Sequence, residues 1–235
     1  MRPPVVGIFG GSFDPFHYAH LHIARAFCNE IGLDELRLIP TGVPYHRKQS
    51  CFASAADRLA MLERVVKSER KKASLEKLEE QGDACTEDFA RCPLRVDDCE
   101  VRRGGPSYSV DTLQEIRTRL GQEASLWFLI GEDALTTLHT WRDWEKLFDL
   151  AHLAVAPRPG FSGEQLQPAV KAQLAARLQA AALTSTPSGT IRRLTVAPLS
   201  VSASMIRAAL ARSANISHFV PRAISAYIHK YGLYK

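Results

Sequence analysis

The sequence predicts an α/β fold with a Rossmann-like, doubly wound and mainly parallel sheet, and three observations carry that prediction. Short apolar runs rich in Val, Ile and Phe alternate with stretches whose apolar residues recur at helical spacing, which implies βα units and a parallel sheet. The first run, Val5, Val6, Ile8 and Phe9, is broken by Gly10-Gly11 and followed at once by an apolar-periodic helix. The clearest central strand, Leu126-Trp127-Phe128-Leu129-Ile130, ends in Gly131-Glu132-Asp133. A carboxylate therefore stands at the carboxyl edge of the sheet, where open α/β sheets bind ligands. At 235 residues the chain can bury one substantial core, and residues 1–235 are read as one domain with helices on both faces of its sheet.

Each element has its own signal. A helix over 16–31 is stopped by Gly32, with Asp14 capping its orphan N–H groups and Pro15 early in the first turn. Leu36-Arg37-Leu38-Ile39 reads as a second strand. Residues 53–68 form a helix with Leu59, Met61, Leu62, Val65 and Val66 on one stripe, and Ser54 and Asp57 are spaced as a capping-box variant. Residues 67–98 differ from their surroundings: charges of both signs crowd them, Gly82 and Pro93 interrupt them, and only Leu75 and Leu78 suggest an amphipathic stretch. This charged inserted segment is read as a helical excursion or loop that decorates the core without contributing to it. A strand over 94–101, a turn over 103–107 and a helix over 109–120 closed by Gly121 restore the rhythm. After the central strand come a short helical region with Trp141, Trp144, Leu147 and Phe148, and a strand from His152 to Ala156. A linker over 157–163, an Ala-rich helix over 168–182 and a last strand over 190–197 follow. Residues 199–235 make a C-terminal helical part, one helix starting at Ser202 and another with Pro221 in its first turn and Gly232 past its end.

Composition narrows the classes. No apolar stretch reaches the roughly 18 residues a membrane span requires, and MRPPVV lacks the apolar core of a signal peptide. A cytoplasmic location is expected. The five cysteines, Cys28, Cys51, Cys85, Cys92 and Cys99, contain no C-x-x-C pair and read as free thiols. The net charge of +5 suits an anionic ligand. Its basic clusters, Arg70-Lys71-Lys72, Arg102-Arg103 and Arg192-Arg193, are scattered and lack interleaved aromatics, so nucleic acid is not expected as a partner.

The chemistry is concentrated in Gly10-Gly11-Ser12-Phe13-Asp14-Pro15-Phe16-His17-Tyr18-Ala19-His20. Residues three apart on a helix share a face, so His17 and His20 point at one spot. In a first turn that spot lies beside unpaired N–H groups and the positive end of the helix dipole, which together bind phosphate. The two glycines let the backbone pass close to a polyphosphate. Neither G-x-x-x-x-G-K-[ST] nor G-x-G-x-x-G occurs, which argues against P-loop hydrolysis and ordinary dinucleotide binding. A second anchor is Val201-Ser202-Ala203-Ser204-Met205-Ile206-Arg207, in which Ser202 caps a helix and Arg207 offers a planar fork to phosphate oxygens.

The first loop resembles the GG[ST]FDPxHxGH signature of [HT]-x-G-H nucleotidyltransferases, with Ala19 in place of the usual glycine. The second anchor is similar to ISxTxIR. Val43-Pro44-Tyr45-His46-Arg47, Pro106-Ser107-Tyr108-Ser109 with Thr112-Leu113, and Ile130-Gly131-Glu132-Asp133 leading to Thr140-Trp141 match three further segments in order. Together these resemble the bacterial nicotinate-nucleotide adenylyltransferases. The resemblance implies adenylyl transfer from ATP, carrying Mg²⁺ on its triphosphate, to nicotinate mononucleotide, without a metal held by protein ligands. It implies that His17 and His20 hold the α- and β-phosphates and that Ser12, Ser202 and Arg207 anchor the rest. Gly10, Gly11 and Gly131 would approach the nucleotide, and Asp133 would accept from ribose hydroxyls. On the acceptor side it implies His46 and Arg47, Trp141 stacked on the pyridine ring, and backbone amides near Ser109 and Thr137 on the ring carboxylate. Ser109 and Tyr45 stand where Thr and Pro are common. The readings left open are another acceptor, nicotinamide mononucleotide or phosphopantetheine, and an RNA-binding synthetase-like module. No KMSKS-like sequence supports the last, and a homo-oligomer is left open.

Overall fold

A computed structural model of the chain describes residues 2–45, 51–79, 89, 91–158, 161, 163–179 and 186–235, with the backbone alone for 75–79. Its strands are β1 (Val5–Gly11), β2 (Glu35–Pro40), β3 (Val43–Pro44), β4 (Leu94–Val96), β5 (Pro106–Ser107), β6 (Ser125–Gly131), β7 (His152–Ala156) and β8 (Ile191–Arg193). The helices are α1 (Tyr18–Ile31), α2 (Ala55–Glu79), α3 (Cys99–Arg103), α4 (Ser109–Leu120), α5 (Glu132–Leu135), α6 (Leu147–Leu150), α7 (Pro168–Arg177), α8 (Ala203–Leu210) and α9 (Arg222–Tyr231).

Six strands form one sheet in the order β4-β2-β1-β6-β7-β8, and every pairing is parallel. Counted within that sheet the order is 3-2-1-4-5-6, the doubly wound arrangement whose direction reverses between the first and fourth strands. Side-chain alternation builds a core on each face. Val5, Phe9, Trp127 and Leu129 join Phe27, Met61, Leu62 and Ile224 on one side. Val6, Ile8, Phe128 and Ile130 join Leu113, Ile116, Leu147 and Val170 on the other. The expected α/β class and its two helical layers are therefore present.

Several local readings need correction, among them the Ala-rich helix expected over 168–182, which ends at Arg177 where Leu178 turns extended. Asp14 does not cap α1; His17 occupies the N-cap position, and the Asp14 carboxylate accepts from Phe52 N at 2.7 Å and Ala53 N at 3.1 Å. The helix expected over 53–68 runs on to Glu79, so residues 67–79 of the charged segment are its continuation. That continuation is anchored: Glu69 is 3% exposed and pairs with Arg25 at 3.2 Å and Lys72 at 2.7 Å, while Arg70 donates to the Leu94 carbonyl. Residues 80–88 and 90 of the segment lie outside the described ones. The strand expected over 94–101 ends at Val96, and Cys99–Arg103 is helical, because the Asp97 carboxylate receives Cys99 N and turns the chain. The last strand is only Ile191–Arg193. Cys28, Cys92 and Cys99 are free thiols, and Cys85 lies outside the described residues.

Candidate active site

The cleft opens where β1 and β6 end, at the reversal of strand order. It encloses about 490 Å³. Gly10, Gly11, Ser12, His17 and His20 line it from the first motif, Gly131 and Asp133 from the end of β6, and Ser202 and Arg207 from the start of α8; Ser109 and Trp141 line it too. The motifs that the sequence separates thus face one space. Thr137 does not line it, and its backbone N–H is already spent on the Ala134 carbonyl at 3.2 Å. His46 and Arg47 fall outside the described residues.

The histidines are held more tightly than a shared helix face requires. Their rings stack with centroids 3.7 Å apart, and Phe9, Phe13 and Phe16 surround His20 at 5.9, 5.2 and 5.2 Å. His17 N donates to His20 Nδ1 at 3.2 Å, so His20 carries its proton on Nε2. Burial, then the His17 ring and the Arg158 charge, hold His20 well below the usual imidazole range. Burial and then Arg158 lower His17 to about 4. Both rings are neutral near pH 7. His17 Nδ1 is buried with no hydrogen-bond partner among the described residues.

Glycines give the loop its reach. A Cβ at Gly10 would meet only Phe128, at 3.8 Å, so that side of the backbone is open to the cleft. At Gly131 a Cβ would lie 2.4 Å from Asp133 Oδ1, so a side chain there would displace the carboxylate. Ala19, where the signature has glycine, is 6% exposed and also lines the cleft.

Several residues of the site escaped the sequence reading. Arg58, 1% exposed, donates to the carbonyls of Ser12 at 2.9 Å and Gly42 at 3.1 Å, tying the glycine loop to the opposite wall. Arg158 lines the cleft, pairs with Asp133 at 3.2 Å and places its charge near both histidines. Glu132 accepts from Arg158 N and Arg193, both at 3.0 Å, and so braces the end of β6. Glu100 is a buried acid in the cleft wall that accepts from Thr112 at 2.8 Å; burial pushes its carboxyl above the usual range, against the pull of Thr112 and Ser107. Such residues carry a signal only in three dimensions, since buried Arg and Glu look like surface charge in sequence. Ser202 behaves as expected: it caps α8, with Oγ accepting from Met205 N at 3.2 Å. Arg207 donates to the Asp14 carbonyl at 2.7 Å and lies 4.3 Å over the Phe52 ring, which joins the two motifs directly. Ser109 opens α4, whose first N–H groups have no intrahelical acceptors, and the half-buried Trp141 lines the same cleft as Ser109.

A doubly wound sheet with glycine-loop histidines and a capped helix facing one cleft at its switch point defines a nucleotidyltransferase site, and residues 8–209 match the cytidylyltransferase-like family. Over 230 residues the chain is 45% identical to a protein of Chromobacterium violaceum named "Probable nicotinate-nucleotide adenylyltransferase", covering 98% of each chain. Proteins of the same name from Laribacter hongkongensis and Neisseria meningitidis serogroup B are 43% and 40% identical, with 98% of this chain covered and 94% and 98% of theirs. This chain belongs to the nicotinate-nucleotide adenylyltransferase family. Among solved structures, the Plasmodium falciparum nicotinic acid mononucleotide adenylyltransferase complexed with NaAD shares the fold, with a TM-score of 0.66, 18% identity and coverage of 98% of this chain and 97% of that one.

Proposed function

We infer that this protein transfers the adenylyl group of ATP to nicotinate mononucleotide, forming nicotinate adenine dinucleotide and pyrophosphate in NAD biosynthesis. The observation that carries this reading is the pair of stacked, neutral histidines facing Ser202 and Arg207 across one cleft, in a chain 45% identical to a relative named for that activity. The 5′-phosphate oxygen of the mononucleotide attacks the α-phosphorus in line; the new P–O bond forms as the bond to pyrophosphate breaks. The protein supplies positioning and donors, with no covalent intermediate. His20, with its proton on Nε2, and His17 donate to the α- and β-phosphates as charge builds there. Gly10, Gly11 and Gly131 admit the nucleotide backbone-close, Ser12, Ser202 and Arg207 hold the outer phosphates, and Asp133 accepts from ribose.

Mg²⁺ arrives as part of the substrate, on the triphosphate, and no protein ligand is assigned to it. Trp141 supports the pyridine ring and the α4 amides at Ser109 meet its carboxylate; His46 and Arg47, which the sequence motif assigns to the acceptor, complete the proposed set. The ligands are small molecules rather than nucleic acid or membrane. No helix among the described residues is long and apolar enough to cross a membrane. The free thiols suit a reducing compartment, and we place the enzyme in the cytoplasm.

Pyrophosphate release with ATP and a panel of acceptors tests the reading. If fixed donors meet the carboxylate, nicotinate mononucleotide is preferred over the nicotinamide form by about 2–4 kcal/mol, roughly 30- to 1000-fold in kcat/KM. Trp141→Ala lowers kcat/KM for both acceptors alike, because stacking does not read the carboxylate. Equal use of the two acceptors by the wild type overturns the acid-specific assignment, and release only with phosphopantetheine overturns the acceptor class.

A further inference from the structure

The Asp14 carboxylate sits in the glycine loop and is bound by protein donors. It is 2% exposed and takes three donors: Phe52 N, Ala53 N, and the hydroxyl of Tyr234, 2.8 Å from Oδ1. The Asp14 carbonyl meanwhile receives Arg207 at 2.7 Å, and Phe52, bound to the same carboxylate through its amide, supports the Arg207 guanidinium with its ring. One buried acid thus joins the glycine loop, the residues opening α2 and the second phosphate motif.

Tyr234 reaches it by a deliberate path. α9 is docked on α2 by the Tyr227 hydroxyl, 3.0 Å from Asp57. Gly232, at φ 63°, turns the chain back, and Leu233 N returns to the Ile228 carbonyl at 3.1 Å. Tyr234 itself has φ 65° and Phe13, next to Asp14, has φ 46°. Bulky residues rarely occupy that left-handed region and persist there only where the surroundings over-determine them. Both flank the same carboxylate.

We propose that Tyr234 is a positioning residue for the ATP side of the cleft, its hydroxyl fixing Asp14 and, through Asp14, the glycine loop and Arg207. The proposal rests on the adenylyl-transfer reading. Its test is Tyr234→Phe, which removes the hydroxyl and keeps the ring, compared with Tyr227→Phe, which removes the bond between α9 and α2. The loss of one hydrogen bond to a charged acceptor raises KM for ATP about 5- to 30-fold in Tyr234→Phe, with kcat and KM for nicotinate mononucleotide within about threefold of wild type. Tyr227→Phe lowers the melting temperature and leaves KM for ATP unchanged. A wild-type KM for ATP in Tyr234→Phe overturns the proposal, as does an equal rise for both substrates with a lowered melting temperature, which marks a merely structural contact. Titration with a non-hydrolysable ATP analogue separates the two readings: if the wild type releases no pyrophosphate, adenylyl transfer fails, while weakened analogue binding by Tyr234→Phe still supports the positioning role and unchanged binding sinks it.

Discussion

A neutral imidazole is a donor of fixed direction, and the cleft makes two of them. His20 is committed to its tautomer by the His17 amide, and aromatic rings on three sides leave it little freedom to turn. Donors of this kind gain most where negative charge develops, not where the substrate already carries it. His20→Ala should therefore lower kcat by about 2–4 kcal/mol of barrier, the size found for oxyanion donors, while ATP analogue binding changes far less. Single-turnover kinetics beside an analogue titration check this. A kcat within a few-fold of wild type in a folded variant would remove His20 from the chemistry.

At the scale of elements, α2 departs furthest from its sequence. Its first turns follow the apolar stripe from Leu59 to Val66, and its capping was legible: the Ser54 hydroxyl accepts from Asp57 N at 3.0 Å. Its last turns lack a stripe, which is why the charged segment read as decoration. What secures them instead is Glu69, buried between Arg25 and Lys72, and Arg70 on the backbone of β4. Glu69→Ala should cost about 1–2 kcal/mol of stability in urea unfolding, since it removes a buried carboxylate from two solvent-screened cations, and should leave kcat/KM near wild type. No change in stability would restore the view of this stretch as solvated decoration. Other elements were plain in the sequence because their signals are local: Gly32 and Gly121 end α1 and α4 where expected, and β6 follows its unbroken apolar run. Asp14 and Arg58 were not legible, because their partners lie far along the chain and a single sequence gives no pairing. For Thr137 the local turn consumed the amide that a substrate was expected to meet.

At the scale of the molecule, the buried histidines make folding sensitive to acid. His17 falls from the ordinary 6.5 to about 4 on folding, and burial lowers His20 and His152 as well. Between these values the unfolded chain binds protons that the folded chain refuses, so this contribution is complete above pH 6.5 and is lost as the pH falls towards 4. Calorimetry from pH 7.5 downwards should show the melting temperature declining through that window, and His17→Gln should flatten the decline. An unchanged slope in that variant would assign the acid lability to other groups.

The bond from Arg207 to Asp14 spans 193 positions of the chain, and that from Tyr234 to the same residue spans 220. Contacts of such separation are entropically costly to close and tend to form late in folding. A sheet with all six of its strands assembled would therefore still have an open phosphate side until α8 and the chain beyond α9 come home. Nucleotide that binds only the completed cleft then acts as a fastener, drawing the chain towards closure by mass action. Resistance to proteolysis in the segments from α8 onward should rise with ATP concentration before the rest of the sheet responds.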